Sequence, residues 1–218
     1  MNLKQTLEAL HKSHSEHIGA PTRHVVDDQI DRLHMLRIPD DGLGVDDYLP
    51  DFELQGIDGN VWRSGALLDR GPLVLAFFRG GWCPYCELTM SALEGARPSI
   101  EAFGATAVGI LPESIELIRR IAAVRDLHYP LLSDPRNAYA GLCGLAYELS
   151  EDFAEIHARA GRDLPAMHGD ERWRLPVPAV FVVEPSARIA FAFSDASPSK
   201  WPDPEDLLAS LKSLTKAD

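Results

Sequence analysis

Apolar residues in this chain gather into short continuous runs and helical stripes, and their spacing predicts most of its elements. Leu73-Val74-Leu75-Ala76-Phe77-Phe78 is an unbroken apolar run of strand length, the pattern of a strand buried on both faces. Glu87-Leu88-Thr89-Met90-Ser91-Ala92-Leu93-Glu94 reads as a helix, continuing with a kink past Pro98 to near Gly104. Upstream, Phe52-Glu53-Leu54 and Val61-Trp62-Arg63 flank Asp58-Gly59-Asn60 as a hairpin. Ser64 is expected to cap a short helix ending near Asp69. Downstream come a strand over 105–111 and a helix over 113–126 with Ile115, Ile118, Ile121 and Ala122 on one face. A short strand at Leu131-Leu132 and a helix over 137–142 follow. Strands over 178–184 and 188–194 turn at Pro185-Ser186-Ala187, and a last helix spans 204–212 with Asp203 as its cap.

Two stretches stand outside that alternation. Residues 1–45 read as a helical extension and linker. Leu3, Leu7 and Leu10 mark a first helix, Gly19-Ala20-Pro21 breaks it, and a second runs from Val26 to Leu36 with Ile30, Leu33 and Met35 apolar. The extension is expected to pack on the main domain, 46–218, or on a second subunit. Its histidines, His11, His14, His17, His24 and His34, read as a solvated polar face more than as metal ligands. The charged segment 148–176, with Pro165, His168 and Trp173, is an insertion placed to close over a site or meet a partner. The whole pattern is α/β, a mixed central β-sheet with helices on both faces.

Composition narrows the class. Across 218 residues, 45% are apolar and 25% charged, as in a soluble globular protein. The net charge of 21 − 33 = −12 argues against nucleic acid and anionic membranes as partners. Met1-Asn2-Leu3-Lys4 leads into polar sequence, so no secretory leader is expected, and no apolar run nears the ~20 residues of a membrane span. Three cysteines then suggest a reducing, cytoplasmic setting and no disulfide scaffold.

The chemistry concentrates in Arg79-Gly80-Gly81-Trp82-Cys83-Pro84-Tyr85-Cys86. A buried strand enters a glycine turn, and Pro84 suits the first helical position. Cys83 then lies near the helix cap and Cys86 in the first turn, where free N–H groups and the helix dipole favour a thiolate. Such settings lower a cysteine pKa from about 8.5 into the range of roughly 3.5–7.5. Arg79 adds a positive charge. Zinc needs two further ligands at set spacing, and Cys143 and the scattered histidines do not supply them. Buried structural cysteines fit poorly with the Gly-Gly-Trp approach, whereas Cys143 reads as a buried, inert thiol.

Trp82-Cys83-Pro84-Tyr85-Cys86 resembles the Trp-Cys-x-x-Cys of thioredoxins and the dithiol of glutaredoxins. Around it, Pro50-Asp51-Phe52-Glu53-Leu54, Pro130-Leu131-Leu132-Ser133-Asp134-Pro135 and Pro178-Ala179-Val180-Phe181-Val182-Val183-Glu184 are similar to segments of the alkyl hydroperoxide reductase/thiol-specific antioxidant family, the peroxiredoxins. The resemblance covers about residues 48 to 215 and implies a thioredoxin-like sandwich. The chain departs from the family pattern at Arg79, Cys83 and Pro178, which stand where a proline, a Thr or Ser, and an arginine are usual.

The resemblance implies a thiol-dependent antioxidant that reduces hydroperoxides through a Cys83/Cys86 dithiol–disulfide cycle. Alternatives are a thioredoxin-like protein disulfide oxidoreductase and a non-enzymatic redox sensor. Position in the family pattern favours Cys86 as the attacking thiolate, while exposure at the helix tip favours Cys83. Arg79, Trp82, Val177 and Pro178 are the expected substrate-binding residues. Val177-Pro178 stands where thioredoxin-fold enzymes place a cis-proline whose preceding residue offers backbone hydrogen bonds to substrate. No cofactor is required, because the two sulfurs carry the electrons. A thioredoxin-, glutaredoxin- or glutathione-type reductant and a homodimer are expected.

Overall fold

A computed structural model describes residues 2–38 and 40–215. Its organising strand is β3 (Leu73–Phe77), buried along its whole length. The pleat sends Val74 and Ala76 into one apolar layer and Leu73, Leu75 and Phe77 into another. β3 runs parallel to β4 (Thr106–Leu111), which runs parallel to β5 (Leu131–Ser133). On its other side β3 pairs antiparallel with β8 (Ala179–Val183), itself paired with β9 (Ile189–Ser194). The hairpin β1 (Glu53–Gly56) and β2 (Val61–Arg63) joins β5, giving the order β2-β1-β5-β4-β3-β8-β9. This is the expected mixed sheet.

Helices cover both faces. On one, α1 (Leu3–His17), α4 (Pro84–Glu101), α5 (Ile115–Arg125) and α9 (Pro204–Leu214) supply Leu7, Met90, Leu93, Ile118, Leu207 and Leu211. On the other, α3 (Ser64–Leu68) and α6 (Ala138–Leu142) supply Leu67, Leu68 and Tyr139. Each fully buried aliphatic or aromatic side chain contributes about 1.5–3 kcal/mol. Pro98 lies inside α4, as its sequence required. Asp203 forms a capping box on α9 and also accepts from the Lys4 N–H and the Asn2 side chain, tying α1 to α9.

A third, smaller core forms over the end of β3. The second extension helix, α2 (Ala20–Met35), packs there with β6 (Ala146–Glu148), α7 (Glu151–Arg159), α8 (Leu164–His168) and β7 (Arg174–Pro176). Leu33, Phe153, Leu164 and Leu175 fill it, and Trp82 packs against it. The extension therefore lies on its own domain. Among the described residues, no helix is long and apolar enough to cross a membrane.

Three local expectations need correction. α2 starts at Ala20, not Val26, because Gly19 caps it and Pro21 fits its first turn; Met35 at its end is 85% exposed. Ser64 is the first residue of α3 and not its cap: its hydroxyl donates to Asp51 and accepts from the Phe52 N–H. Ser114, whose hydroxyl accepts from the Leu117 N–H, caps α5, which leaves Glu113 outside the helix.

Candidate active site

Leaving β3, the chain turns sharply at Gly80, whose φ of 145° a side chain would strain and whose Cβ would sit 2.5 Å from Trp82 Nε1. A Cβ on Gly81 would run into Ile121 of α5. Both glycines are thus required by close approach. The turn delivers Cys83 as the N-cap of α4, with Pro84 and Cys86 both in the first turn. Both thiols are free and almost fully buried, with 1% and 3% exposure. The expected exposure of Cys83 is not found, because α1, α2 and α7 roof the helix tip.

The two cysteines are electrostatically unequal. Burial opposes a Cys83 thiolate, but the Cys86 thiol, the Arg79 charge and the Cys86 and Tyr85 N–H groups outweigh it and hold Cys83 down at about 6. Cys86 moves the other way: burial and the neighbouring Cys83 push it well above its usual value. At neutral pH Cys83 carries the charge and Cys86 the proton.

Arg79 is 7% exposed and pairs with no carboxylate among the described residues. Its guanidinium stacks 5.2 Å from the centre of the Trp82 ring and 5.9 Å from that of Phe153. Arg162, which follows α7, stacks on Trp82 as well, also at 5.2 Å. His157 meets the same ring edge-on at 4.8 Å; burial first, then Arg79 and Arg162, lower its pKa to about 3, so it is neutral. Glu113 lies beneath the turn and accepts the Gly81 N–H on both carboxylate oxygens, at 3.0 and 3.2 Å. Burial, with a further push from Cys83, raises it to about 7.

A cavity of about 200 Å³ opens at Cys83 between α1, α2 and α7; Cys86 does not line it. Of the residues proposed from sequence, Arg79, Trp82 and Cys83 line it, and Val177 and Pro178 do not. Register continued from the Phe77–Ala179 pair places Pro178 beside Phe78 and Val177 beside Arg79. The Val177 N–H is taken by the Leu145 carbonyl at 2.8 Å, and its side chain packs in the third core. His11 is exposed, as read, and His14 is half-buried; both face Tyr85 at the cavity. Cys143 is buried, and burial above all pushes its thiol up to about 12, as fits an inert core residue. Sequence reasoning missed Phe153, His157, Arg162 and Glu113 as contributors.

A buried dithiol on a helix N-terminus, at the end of a central parallel strand pair, defines a thioredoxin-fold thiol protein. Residues 45–192 match the model of the AhpC/TSA family, and the chain belongs to that family. Two Mycobacterium tuberculosis proteins provisionally named peroxiredoxins are 31% identical over 99 residues, 45% of this chain and 64% of each relative. Among solved structures, the peroxidoxin BcpB of Mycobacterium tuberculosis superposes with a TM-score of 0.61 at 23% identity, covering 79% of this chain and 98% of that one. Peroxiredoxin 6 of Arenicola marina, as a Cys-to-Ser mutant, gives 0.62 at 14%, covering 80% and 74%. These likenesses establish the thioredoxin-like fold.

Proposed function

We propose that the chain is a thiol peroxidase in which Cys83 attacks a hydroperoxide and Cys86 resolves the product. One observation carries this assignment: Cys83 faces the cavity as the stabilised thiolate, and Cys86 waits behind it as a protonated thiol. The Cys83 sulfur takes one peroxide oxygen, the O–O bond breaks, and the alkoxide leaves as alcohol after taking a proton. Cys83 is then a sulfenic acid. The Cys86 thiol attacks that sulfur, the Cys83–Cys86 disulfide forms, and water is released. Arg79 and the N–H groups of Tyr85 and Cys86 hold the thiolate.

The roof over Cys83 disfavours the protein-disulfide reading, since a folded disulfide substrate cannot reach a sulfur that is 1% exposed. Of the expected thioredoxin-, glutaredoxin- and glutathione-type reductants, the same roof favours the small glutathione type to close the cycle. We further propose a cytoplasmic homodimer, and 1–45 and 46–218 as the two segments of the chain. β2, and β9 beyond Ile189, whose backbone already bonds Asp46 and Asp47, are the sheet edges where a second copy would pair. Peroxide consumption with dithiothreitol as reductant tests the activity: multiple turnovers that require Cys83 support it, and consumption no faster than dithiothreitol alone overturns it.

A further inference from the structure

The cavity at Cys83 is lined by three arginines, two of them on one indole, and holds an imbalance of charge. Arg79 and Arg162 stack on the same indole, and neither pairs with a carboxylate of the described residues. Asp27, exposed on α2, is the one carboxylate among the described lining residues. Arg23 lines the cavity too, but donates to the Ser15 and Ile18 carbonyls. The remaining walls are mainly apolar, with Ile18, Val26, Ile30 and Phe153 prominent. A volume of about 200 Å³ is below the ~300–1,000 Å³ of most small-molecule pockets, so a short ligand fits and a folded domain does not.

We propose that Arg79 and Arg162 form a subsite for a small carboxylate-bearing thiol, and that this thiol reduces the Cys83–Cys86 disulfide. The inference rests on the dithiol cycle proposed above. Its logic is electrostatic. In the reduced protein, the Cys83 thiolate balances Arg79. Once the disulfide forms, that negative charge is gone, and both guanidiniums lack a counter-ion in a poorly solvated cavity. An anionic ligand is then favoured, by about the tenfold or more that charge-assisted hydrogen bonds supply. The uncharged hydroperoxide thus meets the reduced state, and the anionic thiol meets the oxidised one.

The chemistry balances with two equivalents of thiol. The first, as thiolate, attacks the Cys83 sulfur; the Cys83–Cys86 bond breaks, and Cys86 leaves and takes a proton. The second attacks the ligand's own sulfur in the mixed disulfide, releasing the ligand disulfide and the Cys83 thiolate. Two thiols lose two electrons, the protein disulfide gains them, and one proton passes to solvent. The regenerated thiolate then repels the anionic product from the cavity.

The test is calorimetric titration with (methylsulfanyl)acetate, a redox-inert carboxylate thioether, and with its neutral amide. Disulfide formation is scored first, by loss of free thiols after one equivalent of peroxide. The disulfide form should bind the acid about tenfold or more tightly than the amide, and the reduced form at pH 8 should lose that preference. Arg162→Gln should lose it in the disulfide form, and Arg162→Lys should retain part. Equal binding of acid and amide by the wild-type disulfide form overturns this inference alone. Failure to form the disulfide overturns the dithiol cycle and this inference with it. Acid and amide are compared on wild-type protein, so that result stands even where Arg162→Gln misfolds.

Discussion

The Arg79 guanidinium stacks 5.2 Å from the centre of the Trp82 ring and has no carboxylate partner among the described residues, so the anion that balances it is the Cys83 thiolate. A buried arginine normally carries its own acid, because an unpaired buried charge is costly. Here the cysteine takes that role. Arg79→Gln should therefore raise the Cys83 pKa from about 6 by ~1–2 units, read from thiolate ultraviolet absorbance against pH. Arg79→Lys should raise it less, since the charge stays while the stacking is lost. An unchanged titration in Arg79→Gln would refute the pairing.

Cys86 supports the thiolate as a donor and resolves the oxidised product. In Cys86→Ala the Cys83 pKa should rise, because the thiol hydrogen bond is gone. After one equivalent of peroxide, this variant should hold a sulfenic acid at Cys83, captured by dimedone and located by mass spectrometry. Capture of nothing at Cys83 would remove its assigned role.

Glu113 gives a pH signature. Its carboxyl is raised to about 7, so across neutrality it gains charge near the thiolate. Glu113→Gln should lower the Cys83 pKa by several tenths of a unit and extend peroxide reactivity to lower pH. A carboxyl raised on folding favours the folded state most below its unfolded pKa, and that contribution is lost as pH rises from about 4.5 through 7. Burial holds His157 and His168 neutral and makes stability rise with pH over the same window, opposing Glu113. Denaturant melts should therefore show stability rising more steeply with pH in Glu113→Gln than in wild type. An unchanged or flatter dependence would reverse the assignment.

The roof restricts access to Cys83 to the cavity between α1, α2 and α7. Leu33 of α2 is 1% exposed within the third core, and Leu33→Ala should cost about 2–5 kcal/mol there. If the weakened third core lets α2 and α7 undock more often, iodoacetamide should alkylate Cys83 faster in this variant than in wild type. Equal alkylation rates would mean that the helices do not control access.

The sheet was legible because its strands are apolar runs and its turns are marked by residues such as Asp58-Gly59-Asn60 and Pro185-Ser186-Ala187. The dithiol was legible because Cys83-Pro84-Tyr85-Cys86 sits at one strand–helix junction, a local arrangement. What escaped depends on long-range contact. Phe153, His157 and Arg162 reach Trp82 only because the 148–176 insertion folds back across the helix tip, and its charged sequence carries no trace of that destination. Glu113 looked like a first helical residue, but Ser114 took the cap and freed it for Gly81. The burial of Cys83 escaped for the same reason, since its cover comes from α1, α2 and α7. Family position pointed to Cys86 as the nucleophile; the environment of the two sulfurs points to Cys83.

Stopped-flow oxidation of reduced wild type, Cys83→Ser and Cys86→Ser by hydrogen peroxide tests that choice most directly, with Trp82 fluorescence as the signal. A Cys83 nucleophile predicts fast oxidation of wild type, a fast single step in Cys86→Ser, and no reaction above the free-thiol rate in Cys83→Ser. Fast oxidation of Cys83→Ser with a silent Cys86→Ser would contradict it and make Cys86 the nucleophile.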